Sequence, residues 1–230
     1  MRSQLPRVAA PISIPLLCVA LLIAAICSGC GQVDRTLLTG DPCEPPCWQG
    51  LTPGVSTAQQ VEHFLGASQY VKPDSVHREA WGWRDLTTIS WESTAWWIGK
   101  AEPNALIVQG DTLMVISIQL DYELTLEDLL DRYGPPQRYW ARWRGWGGAD
   151  VIVNLYYPTT GLVTKLVVES SPSDGHHRLE PDSLVTRVWY CPSTSLDGLA
   201  DLGDLIPLPP REYMDTDLND WGGYGAIEVI

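Results

Sequence analysis

Phenylalanine is almost missing from this chain: one residue in 230, against eleven tryptophans and nine tyrosines. Basic residues are scarce too, 15 Lys and Arg against 28 Asp and Glu, for a formal net charge of −13. Such a surface repels phosphates and argues against nucleic acid as a partner. No apolar run reaches the roughly 20 residues that a membrane-spanning helix needs. The longest, Ile12 to Ile26, is interrupted by Ser13 and Pro15. There is no Gly-x-Ser-x-Gly elbow, phosphate loop or zinc-protease helix, so no enzyme signature is legible. Acids are abundant, but any two of them could be named as a glycosidase pair, and without geometry the choice is empty.

What is present at the N-terminus is a charged start (Arg2 and Arg7), a short apolar segment and a small-residue exit, Cys27-Ser28-Gly29-Cys30. That order describes a secretory signal peptide over 1–29. The exit resembles the lipobox of bacterial lipoproteins, with Cys27 where that family prefers an aliphatic residue. The resemblance implies acylation of the Cys30 thiol, cleavage after Gly29 and an anchor on the outer side of a bacterial membrane, either cell membrane or outer membrane. Two or more acyl chains are what stable anchoring requires. Loss of Arg2 and Arg7 with the signal peptide takes the mature charge from −13 to −15.

Three cysteines remain besides Cys30 and those of the leader: Cys43, Cys47 and Cys191. In an oxidising compartment either Cys43 pairs with Cys47 across Glu44-Pro45-Pro46, or one of them pairs with Cys191; spacing does not decide. Three thiols without a histidine motif make a poor zinc site. The acidic run Asp215–Gly222 lacks the glycine and closing glutamate of a calcium loop, having Asp220 and Ala226 there. The reading carries no metal and no cofactor.

Along the chain, 30–47 reads as the lipidated cysteine and a polar tether. Two similar units follow, 48–122 and 123–192, and then an acidic C-terminal extension, 193–230. Thr57 with Gln60, and Thr125 with Asp128, are capping pairs before apolar helical stripes, Val61/Phe64/Leu65 and Leu126/Leu129/Leu130. Gly66 and Gly134 are the expected helix stops, and Pro135-Pro136 bars continuation of the second helix. Strands are expected over Leu86–Glu92, Ala95–Ile98, Ala105–Gln109 and Thr112–Leu120. In the second half they are expected over Arg138–Arg144, Asp150–Tyr157, Leu162–Glu169 and Leu184–Cys191. The predicted fold is α+β: two helix-plus-antiparallel-meander repeats sharing or packing sheets.

The residues Leu51-Thr52-Pro53-Gly54, Thr57, Val61, Leu65 and Gly66, with Thr125, Leu129, Tyr133, Gly134 and Pro135, resemble the SmpA/OmlA lipoproteins of the outer-membrane barrel-assembly machinery. In tandem they resemble the β-lactamase-inhibitor-protein family, whose two modules share one sheet. The resemblance covers about 48–170 and bears on fold more than on function.

Tryptophans cluster in each half: Trp81, Trp83, Trp91, Trp96 and Trp97, then Trp140, Trp143 and Trp146. They either fill a core short of phenylalanine or form a partner surface, for which Trp81, Trp83, Trp96, Trp140 and Trp143 are the candidates. The four histidines offer no paired motif, and His176-His177 reads as a solvated loop. The functional expectation is a non-catalytic, protein-binding lipoprotein with an envelope partner and no small-molecule substrate. A glycan-binding or glycan-hydrolysing surface protein and a structural lipoprotein without a ligand are the alternatives.

Overall fold

A computed structural model describes residues 34–82, 85–92, 102–144, 150–169 and 176–229. Outside those residues lie the signal segment, Cys30, the strand expected over 95–98, and Trp83, Trp96, Trp97 and Trp146. The fold is α+β. Its strands are β1 (His77–Trp81), β2 (Leu86–Trp91), β3 (Asn104–Gln109), β4 (Thr112–Gln119), β5 (Arg138–Trp143), β6 (Asp150–Tyr157), β7 (Leu162–Glu169), β8 (Arg178–Leu179), β9 (Val185–Tyr190), β10 (Asn219–Asp220) and β11 (Gly225–Ala226). Nine of them form one antiparallel sheet in the order β1-β2-β3-β4-β9-β7-β6-β5-β10, and β8 pairs with β11. The helices are α1 (Thr36–Thr39), α2 (Ala58–Ala67), α3 (Leu126–Tyr133), α4 (Leu196–Ala200) and α5 (Met214–Asp217). Among the described residues no helix is long and apolar enough to cross a membrane.

Both capping pairs form. Thr57 accepts from the Gln60 amide at 3.3 Å and Gln60 Oε1 accepts from the Thr57 amide at 2.8 Å. Thr125 and Asp128 repeat the exchange at 3.1 and 3.2 Å. Each cap stabilises its helix by about 1 kcal/mol. The helix starts are also bonded to the middle of the sheet. Ala58 N donates to Asp111 O and Leu113 N to Ser56 O at the head of β4; Leu126 N donates to Ser183 O and Val185 N to Leu124 O at the head of β9.

The two glycine stops behave differently. Gly134 ends α3 with φ 73°, a conformation glycine adopts freely. Gly66 does not end α2, which runs through Ala67 with Ser68 N still bonded to Phe64 O. No proline follows Gly66, so nothing there prevents one more helical bond.

One face of the sheet meets the helices: Ile89, Leu106, Ile116, Leu155 and Val188 pack with Val61 and Leu65 of α2 and Leu126 and Leu129 of α3. We call this the helix face. The other, second face carries Val115, Tyr156 and Val163 beneath Leu199, Leu202, Ile206, Met214 and Leu218. Cover on both sides explains adjacent buried pairs such as Val115-Ile116 and Leu162-Val163, which a half-buried strand would not tolerate. The acidic extension 193–230 is therefore not merely a solvated tail. Its apolar residues supply a layer of core, and β10 extends the sheet beyond β5.

Residues 34–47, expected within the tether, also belong to the domain. Thr36 and Leu37 of α1 are buried, as is Trp48, whose ring meets Phe64 edge-on at 5.2 Å. The Tyr133 hydroxyl donates to Leu37 O at 2.6 Å. The Asp34 carboxylate accepts from Trp48 Nε1, from Gln49 Nε2 at 3.1 Å and from Thr36 N at 3.0 Å. The segment thus sits between α2 and α3. Burying a Leu side chain contributes about 2 kcal/mol, which a polar spacer would forgo.

The cysteine question resolves locally. Cys43 and Cys47 form a disulfide, and Cys191 remains a buried thiol in the core of the second face.

Candidate binding face

Register places the tryptophans apart. Trp81, at the end of β1, pairs with Leu86 and is 43 % exposed. Ile89 and Trp91 belong to the helix-face core, so alternation puts Leu86 and its partner Trp81 on the second face. Trp140 also lies on the second face, packed at the margin of its core. Between β1 and β5 lie seven strand spacings, about 34 Å along the sheet at ~4.8 Å each. Trp143 shares the parity of Tyr139 and Ala141, both in the helix-face core. It is 49 % exposed and meets the His177 ring at 5.1 Å. Trp81, Trp140 and Trp143 do not form one patch. Trp91 and Trp48 are core, stacked with their centroids 6.2 Å apart. His177, read from sequence as solvated, is buried.

The polar chemistry gathers elsewhere. Five residues on five adjacent strands pair in one row across the second face: Trp140 on β5, Asn154 on β6, Lys165 on β7, Arg187 on β9 and Gln119 on β4. Arg187 is only 4 % exposed. Its guanidinium donates to Ser117 Oγ at 2.7 Å, Gln119 Oε1 at 3.3 Å, Glu102 O at 2.9 Å and Pro103 O at 3.1 Å. Its Nε lies 3.1 Å from Glu102 Oε2, an ion pair without hydrogen-bond alignment. Lys165 Nζ reaches Glu102 Oε1 at 2.9 Å. The Gln119 and Asn104 amides complete the frame: Glu102 N donates to Gln119 Oε1 at 2.6 Å and Gln119 N to Asn104 Oδ1 at 2.7 Å.

Electrostatics in the row are self-compensating. Burial disfavours the Glu102 carboxylate, but the hydrogen bond and charge of Lys165, then the charges of Arg187 and Arg144, outweigh it and hold its pKa below the ordinary 4.5. Burial lowers the Arg187 pKa while Glu102 opposes the change. These charges fix the chain entering β3 to β9 and β7.

One member of the row is unsatisfied. Asn154 is fully buried, and neither Oδ1 nor Nδ2 has a hydrogen-bond partner among the described residues. Its cross-strand neighbours are Trp140 and Lys165; Arg142 lies 5.2 Å above the Trp140 ring. With Ile152 and Val167 half-buried beside it, this part of the face combines an indole, aliphatic surface, two cationic groups and an amide. Of this set Arg142 is exposed and Trp140, Ile152 and Val167 are half-buried, whereas the Asn154 amide is closed off from solvent. No group of three or more His, Cys, Asp or Glu among the described residues could hold a metal ion.

A cleft of about 550 Å³ lies away from this face. It opens beside α2 and is lined by Gln49, Leu51, Gln59, Gln60, His63 and Phe64.

Sequence reading missed the polar row because it depends on pairing. A trace of it was legible: Asn154 and Arg187 each interrupt an otherwise apolar or β-branched strand, an anomaly in a strand covered on both faces. No protein-family model, curated protein or solved structure matches this chain.

Proposed function

We propose that the chain is an exported lipoprotein, acylated at Cys30, whose domain is a non-catalytic module that binds another protein of the cell envelope. The observation that carries the binding role is the open margin of the second face, where Trp140 and the exposed Arg142 stand beside the half-buried Ile152 and Val167. Aromatic and arginine side chains over a partly apolar floor are the composition of interaction hot spots.

The same reading includes a tandem of two related halves. In its favour, Thr57 and Thr125 make like capping boxes, Thr57 bridges to Thr112 and Thr125 to Leu184, and the halves abut through antiparallel β4 and β9. A tandem sheet of this kind is also what the resemblance to the SmpA/OmlA and β-lactamase-inhibitor-protein families implies.

The test is crosslinking in intact cells followed by capture of a tagged chain and mass spectrometry, with the N-terminal peptide inspected for acyl groups. The expected result is one abundant envelope protein lost in Trp140→Ala and Arg142→Ala and retained in Trp143→Ala. Capture that ignores all three substitutions overturns the assignment of the face; an unmodified Cys30 overturns the anchor.

A further inference from the structure

We infer that the helix face is the side turned toward the lipid, held there by a leash too short to let the domain turn over. The exposed margin of the second face, with Arg142 beside the half-buried Trp140, then looks away from the membrane, where a partner can reach it. This rests on acylation of Cys30, the reading proposed above.

The length of the leash is fixed by covalent geometry. Gly31, Gln32 and Val33 alone separate Cys30 from Asp34, four residue steps that span about 14 Å when fully extended. Asp34 is firmly seated. Its carboxylate takes hydrogen bonds from Trp48, Gln49 and Thr36, and both Trp48 and Leu37 are buried in the helix-face core. Trp48 touches Phe64 of α2, and the Leu37 carbonyl takes the Tyr133 hydroxyl of α3. The chain therefore enters the domain between the two helices.

A longer spacer would leave the outcome open. A flexible one of 20 residues has a typical reach of about 25 Å, enough for the domain to rotate. Four steps are not: the sheet and the C-terminal layer stand between the point of entry and the outer surface of the second face.

Adhesion does not hold this side down. The exposed positions on α2 and α3 include Glu62, Glu127, Asp128 and Asp131, with Arg132 the one basic residue of these helices. Arg132 is already paired with Glu44. Arg35 is exposed beside the point of entry, but Lys72 and Arg78 are paired with Glu92 and Glu62, so this acidic surface gains little from anionic headgroups. The leash alone sets the orientation.

The experiment uses acylated protein reconstituted in phosphatidylcholine vesicles that carry a fluorescent acceptor on a minority of headgroups. A donor dye is placed on Gln59→Cys, exposed on α2, or on Arg142→Cys, exposed on the second face. Cys191 is buried and Cys43 is bonded to Cys47, so the dye enters at the new thiol. Energy transfer to the headgroups is expected to be stronger from position 59 than from position 142. Insertion of 20 Gly/Ser residues between Gln32 and Val33 is expected to abolish the difference. Equal transfer from both positions with the native spacing, or stronger transfer from 142, overturns the orientation while leaving the anchor intact. Failure of the chain to float with vesicles, as expected of Cys30→Ala, overturns the anchor and the orientation together.

Discussion

Trp140 and Trp143 stand three residues apart on one strand and point to opposite faces of the sheet. Trp140 packs at the margin of the second core, whereas Trp143 is half exposed against His177. Trp140→Ala is expected to lower unfolding free energy by about 2 kcal/mol, below the range for a fully buried ring. Trp143→Ala is expected to change it by less than about 1 kcal/mol. Urea titrations check both values, and acrylamide should lose more of its quenching in the Trp143 variant.

Glu102 gives the fold an acid-sensitive tie. Its folded-state pKa lies below the ordinary carboxylate value, because Lys165 and Arg187 outweigh its burial. A depressed carboxyl pKa contributes stability above the unfolded pKa. That contribution disappears as pH falls from there through the lower folded value. Glu102→Gln is therefore expected to be less stable than the parent at neutral pH, with a flatter stability profile in acid. Parallel profiles for the two chains would remove Glu102 from the account.

Burial pushes the Cys191 thiol up to about 12. In mildly alkaline buffer iodoacetamide is expected to leave the Cys191 peptide unmodified until the protein is unfolded, since the thiolate is the reactive form. Peptide mapping reads this directly. Rapid alkylation of the native chain would show that the core of the second face opens readily.

Gly161 turns between β6 and β7 with φ 68°. A Cβ there would press on the Cys191 carbonyl and come within 2.8 Å of Pro46 Cβ. Gly161→Ala is expected to cost about 2 kcal/mol, from left-handed backbone strain and crowding together. Thermal or urea unfolding of the single variant is the measurement.

Truncation before Thr194 tests the C-terminal layer. Removing it uncovers Val115, Tyr156 and Val163 and deletes Leu199, Leu202, Ile206, Met214 and Leu218 from their core. The shortened chain is expected to lose its cooperative transition and to bind apolar dyes. An unchanged transition would return 193–230 to the status of an appendage.

Local signals were readable and pairing was not. Asp150–Tyr157 and Leu162–Glu169 emerge with the bounds read from β-branched alternation and the Pro158–Gly161 turn, and both capping boxes form as spaced. These depend on neighbours within a few residues. β1, by contrast, was not recognised: His-Arg-Glu-Ala-Trp is exposed throughout and carries no apolar alternation. The helix stop at Gly66 failed because glycine permits a turn without compelling one. The polar row needed the register of five strands, and the seating of 34–47 needed the groove between two helices, neither of which a local pattern contains. The acidic extension hid its role because its apolar residues follow no single period; they match the shape of a sheet surface formed by other parts of the chain.

The two margins of the sheet are finished differently. Beyond β5 the chain covers part of its own border: β10 pairs with Arg138 and Tyr139, the Arg138 and Asp220 side chains are joined, and β11, further along the C-terminal stretch, pairs with β8. Among the described residues nothing pairs with the outer side of β1. Both rims carry devices that discourage strand addition: exposed, charged side chains along β1 and a strand of only two residues at β10. Edge-to-edge growth of the sheet into a ribbon is thereby disfavoured at both of its ends.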